Sequence, residues 1–236
     1  MSALHFTWAT CLVLVAMASR AAAAADPVTL AKGDRVFFFG DSITQGAVGP
    51  KGYITVLGKL LAEKHPELSV ELIGAGISGH KVPDLQKRID RDVLAKKPTI
   101  VVIYIGINDV WHGQKDPARG TLPEPYAAGL KEIIGKLQKA GSRVLLCTPS
   151  VIGEKQDGAN PLDAKLDQYA ELSRQVAAET SVPVCDLRKA FVEYLKTNNP
   201  KNADRGILTG DGVHLNEAGN RFVAETMLES LTPVTK

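Results

Sequence analysis

Cysteine is scarce in this sequence: three occur in 236 residues, Cys11, Cys147 and Cys185. That number excludes a disulfide framework, and Cys147 and Cys185, both in apolar runs, read as small buried hydrophobes. A surplus of one charge is also missing. With 28 Lys and Arg against 26 Asp and Glu, the net charge is +2, which argues against nucleic acid or an anionic membrane as an obligatory partner. No internal repeat or low-complexity tract follows Asp26. The five histidines share no metal-ligand spacing, so no metal site is expected. Nothing in the sequence sets an oligomeric state.

What is present begins with a leader. Leu12–Ala18 is an apolar run too short to span a bilayer comfortably. The alanines from Ala21 to Ala25 then supply the small residues of an export cleavage site. Residues 1–25 are therefore expected to be a signal peptide, and residues 26–236 one exported domain. The n-region fits poorly, since it holds His5 but no Lys or Arg.

From Arg35 onward strand-like and helix-like patterns alternate. Strands are predicted at 35–39, 69–73, 99–105, 143–148 and 182–187, and helices at 53–64, 83–95, 125–140, 163–180 and 217–231. Short, continuously apolar strands imply a parallel sheet covered on both faces. The predicted fold class is a doubly wound, three-layer α/β/α domain with a five-stranded parallel sheet in flavodoxin-like order 2-1-3-4-5.

In such a sheet ligands bind beyond the carboxyl ends of the strands, and four segments there carry chemistry. Gly40-Asp41-Ser42-Ile43-Thr44 follows the first strand, and Gly76-Ile77-Ser78-Gly79 the second. Gly106-Ile107-Asn108-Asp109 follows the third, and Asp211-Gly212-Val213-His214 comes near the end of the chain. Serine attack on an ester needs an imidazole to take the Oγ proton, a carboxylate to orient that ring, and fixed N–H donors for the oxyanion. Ser42, His214 and Asp211 can fill the first roles. Backbone N–H groups at Ser42 and near Gly79, with the Asn108 amide, can fill the last. Asp41 and Asp109 read as capping or loop-bonding acids, although either could replace Asp211 as the orienting carboxylate.

These four blocks, in this order, resemble the SGNH hydrolases, also called the GDSL esterase family. The resemblance runs through nearly the whole chain after the leader. It implies Ser42 as nucleophile, His214 as general base, Asp211 as orienting acid, and Ser42 N–H, Gly79 N–H and Asn108 as oxyanion hole. It also implies a flavodoxin-like sheet and neither metal nor organic cofactor. One departure is Gly74, where family members often carry Asn; this bears on turn geometry rather than on catalysis.

A different class competes. Gly74-Ala75-Gly76-Ile77-Ser78-Gly79 matches the dinucleotide fingerprint G-x-G-x-x-G. The fingerprint also requires a helix opening at the motif and an acid ending the next strand; Pro83 delays the helix, and Asp90 and Asp92 fall inside it. A secreted, non-catalytic binding module is the third reading, opposed by the intact Ser42, Asp211 and His214.

For substrate, no long apolar lid is evident, which disfavours long-chain triglycerides. Trp111, His80 and His112 follow two of the blocks and are candidate cleft residues, with Tyr53 and the polar loop 149–161 nearby. The expected substrate is a small-molecule or carbohydrate ester of a short acyl group, acetyl first. A lysophospholipase or thioesterase of the same family is the alternative.

Overall fold

A computed structural model describes residues 26–233; the expected leader, residues 1–25, lies outside them. The chain opens with β1 (Val28–Leu30) and β2 (Arg35–Gly40), turns through the short helix α1 (Ser42–Gly46), and continues as α2 (Tyr53–Lys64). There follow β3 (Glu71–Gly76), α3 (Val82–Asp92), β4 (Ile100–Tyr104), the short α4 (Ile107–Trp111) and α5 (Pro123–Lys139). The rest is β5 (Arg143–Cys147), α6 (Asp163–Thr180), β6 (Val184–Cys185), α7 (Leu187–Asn198), α8 (Glu217–Ser230) and β7 (Leu231–Pro233).

Five strands form one parallel sheet in the order β3-β2-β4-β5-β6. Taken in chain order, these five strands run 2-1-3-4-5, as expected. Helices α3, α5 and α6 pack side by side along one face, and α2, α8 and α7 along the other. Both faces of the central strands are thus covered, which is why Phe37, Phe38 and Phe39 are all inaccessible although consecutive side chains point to opposite faces. Burial of each aromatic ring contributes roughly 1.5–3 kcal/mol.

Several expected boundaries move, each for a local reason. The second sheet strand starts at Glu71 rather than Ser69, because Ser69 sits in a left-handed turn with φ 48. It then runs through Gly74 and Gly76, which are strand residues rather than a phosphate loop. A Cβ at Gly76 would strike the backbone of Thr44 and Gln45, so the glycine lets α1 close onto β3. Gly74 likewise belongs to the strand, beside Val48, and not to the turn. The last sheet strand is only Val184–Cys185, because Asp186 caps α7 by accepting from Lys189 N–H. Helix α7 itself, and the small parallel ladder between β1 and β7, are additions to the sequence reading.

Cys147 and Cys185 face each other in register on β5 and β6; both are free and buried. Among the described residues no helix is long and apolar enough to cross a membrane.

Candidate active site

The strand ends that build the site lie side by side. Gly40 of β2 pairs with Gly76 of β3 on one side and with Tyr104 of β4 on the other. Three neighbouring loops therefore leave the sheet at one level and carry Ser42, Gly79 and Asn108. At Gly40 a side chain would strike Thr44 and the Tyr104 carbonyl, so the sharp turn before the serine requires glycine.

Asp41, not Ser42, is the N-cap of α1, its Oδ1 accepting from Ile43 N–H at 2.9 Å. That leaves the Ser42 hydroxyl free for a long-range partner. Ser42 Oγ lies 2.9 Å from His214 Nε2, and His214 Nδ1 lies 2.7 Å from Asp211 Oδ2. Asp211 Oδ1 also accepts the backbone N–H groups of Val213 and His214 at 2.9 and 2.7 Å. Burial pushes the Asp211 carboxyl up, but the His214 ring and those two N–H groups outweigh it and hold it at about 2. An ionised Asp211 can only accept, so Nδ1 carries the imidazole proton and Nε2 presents its lone pair to Ser42 Oγ–H. The His214 and Asp211 side chains are 45% and 52% exposed, so the site is an open shelf rather than a tunnel.

The proposed oxyanion donors are arranged on the same loops. Gly79 adopts φ +76, a conformation that favours glycine. Among the described residues neither Ser42 N–H nor Gly79 N–H has an acceptor. The buried Asn108 side chain donates one Nδ2 proton to the His80 carbonyl at 3.1 Å, which fixes the amide and leaves its second N–H.

The candidate cleft residues divide. His112 lies beside Gly79, its Cε1 3.9 Å from where a Gly79 Cβ would stand. Its imidazole is pushed down by burial and by Lys81 and Arg119. Trp111 is 37% exposed and forms a recess with His112, Gln114, Lys115 and Arg119. The His80 ring turns inward, with Nδ1 accepting from Arg88 Nε at 3.1 Å. Tyr53 is fully buried, bonded to Thr44 Oγ1 at 2.9 Å and packed on Phe38, so it does not border the site. The loop 149–161 folds back on the protein, with Glu154 and Asn160 buried.

Asp41 and Asp109 are structural neighbours of the site. Asp109 accepts Val82 N–H at 3.1 Å and tethers the start of α3. Burial raises Asp41 to about 7, and also raises Asp109 to about 6. Neither bonds His214; Asp211 does. Sequence reasoning missed Arg88. Its guanidinium donates to the carbonyls of Gly40 at 2.7 Å and Ala75 at 2.9 Å, and lies 4.4 Å over the Phe39 ring. It thereby ties the strand end before Ser42 to the one before Gly79.

A more enclosed pocket lies between loop 151–160 and α7, lined by Asp163, Arg188 and Lys196 among others. It contains no nucleophile–base pair such as the Ser42 shelf holds. Among the described residues no group of three His, Cys, Asp or Glu could hold a metal ion.

Comparison with known proteins points the same way. Residues 38–222 match the GDSL-like Lipase/Acylhydrolase family. An acetylxylan esterase of Geobacillus stearothermophilus is 34% identical over 218 residues, covering 86% of this chain and 95% of that protein. Axe2, an acetylxylan esterase from Geobacillus stearothermophilus solved as catalytic mutants in which a serine, an aspartate or a histidine is replaced by alanine, superposes with TM-scores of 0.76 to 0.77 at 32% identity, covering 86% of this chain and 96% of that one. The crystal structure of the acetyl xylan esterase AlAXEase superposes with TM-score 0.79 at 48% identity, covering 82% of this chain and 97% of that one. The isoamyl acetate-hydrolyzing esterase 1 homolog of Rattus norvegicus is 27% identical over 205 residues, 80% of this chain and 78% of that protein.

Proposed function

This chain belongs to the GDSL-like lipase/acylhydrolase family and is a carboxylic ester hydrolase, and on that premise we propose that it is an exported acetylesterase acting on acetylated carbohydrate through an acyl-enzyme on Ser42. The observation that carries the mechanism is the hydrogen-bonded chain Ser42–His214–Asp211, at 2.9 and 2.7 Å. His214 Nε2 takes the Ser42 proton as Oγ bonds to the acyl carbon. The carbonyl oxygen gains the negative charge and is received by the N–H groups of Ser42 and Gly79 and by the Asn108 amide. Collapse breaks the C–O bond to the alcohol, which leaves with the proton from His214. Water, deprotonated by the same ring, then attacks the acetyl-serine and releases acetic acid.

The substrate reading draws support from the acetylxylan esterase relatives and from the form of the site. The exposed His214 and Asp211 leave room for a bulky alcohol. Trp111 offers an aromatic face with polar neighbours, the surface a sugar ring favours. The alanine-rich leader supports export.

The test is kcat/KM on acetylated oligosaccharides, on lysophospholipid and on a p-nitrophenyl ester chain-length series. The acetylated oligosaccharides should be preferred, and Trp111→Ala should raise their KM far more than that of p-nitrophenyl acetate. A preference for acyl chains of eight or more carbons would overturn the acetyl assignment in favour of a lysophospholipase or thioesterase.

A further inference from the structure

The loop that carries Asp211 and His214 runs from α7 to α8 and does not continue from a sheet strand, so something else must hold it. The segment Thr209–Leu215 closes on itself through a bridge between Thr209 and Leu215 and a bond from Gly210 N–H to the His214 carbonyl at 2.8 Å. At its root stands Glu154, from the loop between β5 and α6, with no exposed surface. Glu154 Oε2 accepts Ile207 N–H at 2.7 Å. Its Oε1 accepts Leu208 N–H at 2.7 Å, Thr209 N–H at 2.6 Å and Thr209 Oγ1–H at 2.8 Å.

The Thr209 hydroxyl then passes the connection on by accepting Gly212 N–H at 3.1 Å, between Asp211 and Val213. Two backbone bonds run beside it: Gly153 N–H to the Gly212 carbonyl at 2.7 Å and Glu154 N–H to the Asp204 carbonyl at 2.9 Å. No cation pairs with Glu154 among the described residues; four donors, three of them consecutive backbone N–H groups, carry its charge. A buried carboxylate is costly unless its lone pairs are met, and here every donor belongs to the segment that leads into Asp211 and His214.

We propose that Glu154 is a positioning residue for the reaction: with Thr209 as relay, its carboxylate sets the height and orientation of the Asp211–His214 turn against Ser42. This rests on the Ser42–His214–Asp211 reading above. Glutamine at 154 keeps the shape but has one acceptor oxygen, so its NH2 group would face a backbone N–H. The turn would then shift, and a displacement of about 1 Å at the base costs on the order of 100-fold in turnover.

The experiment is a double-mutant cycle on p-nitrophenyl acetate, comparing the parent, Glu154→Gln, His214→Ala and the double variant. Glu154→Gln should lower kcat by roughly 10- to 100-fold with KM little changed, and should cost nothing further in the residual rate of His214→Ala. The same proportional loss in both backgrounds would mean a structural role only, and a parent-like kcat would remove the proposal outright. If Glu154→Gln does not fold, Thr209 decides: Thr209→Ser should keep the parent rate, and Thr209→Val should lower kcat only where His214 is present. Equal rates for Thr209→Ser and Thr209→Val would overturn the relay. A His214→Ala variant of parental activity would instead sink the Ser42–His214–Asp211 reading itself.

Discussion

Ser42 is delivered by a strand and His214 by a loop, and the two halves of the site are held by different physics. On the serine side, a continuous apolar strand is locked into the sheet, Gly40 permits the turn, and Asp41 caps the helix that follows. Arg88 pins the strand end from below through the Gly40 carbonyl. On the histidine side the backbone lies beyond the last sheet strand, and long-range polar bonds from Glu154 and Gly153 hold it. The difference teaches that an apolar strand, braced at its end by Arg88, determines where Ser42 sits, whereas a buried carboxylate determines where His214 sits.

The largest expected effect lies where the halves meet. His214→Ala should lower kcat by at least about 10⁴-fold. The parent should lose activity in acid, because only neutral Nε2 accepts the serine proton. Asp211, held at about 2, stays ionised through that range and cannot be the titrating group. The residual rate of His214→Ala should show no such acid limb, and a limb that persists would assign it to another group.

Asn108→Ala confines the damage to the sheet side. Loss of one oxyanion donor should cost roughly 100- to 1000-fold in kcat, measured on p-nitrophenyl acetate. A loss of less than about tenfold would mean that the amide only braces the His80 carbonyl.

The smallest effect separates the two acids by the sign of their titration. Asp41 is raised by burial from 3.8 to about 7, so the folded protein binds that proton more tightly than the unfolded chain. Its contribution favours folding in acid and is lost as pH rises through about 7. The difference in melting temperature between Asp41→Asn and the parent should therefore widen in favour of the variant from pH 4 to pH 8. Each tenfold gain in proton affinity on folding is worth at most about 1.4 kcal/mol. Asp211 is lowered, so its contribution is complete above 3.8 and is lost only as pH falls toward about 2. The stability cost of Asp211→Asn should then shrink as pH falls from 3.8 toward about 2. Parallel pH curves for Asp41→Asn and the parent would contradict the rise that burial imposes on Asp41.

The serine half was legible in the sequence because its signals are local: an aromatic strand, a glycine and a capping aspartate within eight residues. The doubly wound class also followed from the alternating pattern and the continuously apolar strands, whereas the order 2-1-3-4-5 is only the preferred one for such a chain and no residue pattern dictates it. Glu154 stayed hidden because a glutamate in Pro149–Pro161, among lysine, glutamine, aspartate and asparagine, reads as solvent-facing. Its burial depends on donors more than 50 residues away. Arg88 was missed for the same reason: on an amphipathic helix a charged residue reads as surface, yet its targets are carbonyls on two strands. Helix α7 escaped because the apolar run 182–187 reads as a full strand until the capping role of Asp186 is seen.

The central claim is that Ser42 Oγ, activated by His214, carries the acyl group. Rapid acid quench of the enzyme during turnover of p-nitrophenyl acetate, followed by peptide mass analysis, tests it directly. One acetyl group on the peptide containing Ser42, absent from Ser42→Ala, is the expected result. Acetylation elsewhere, or undiminished turnover by Ser42→Ala, would contradict it.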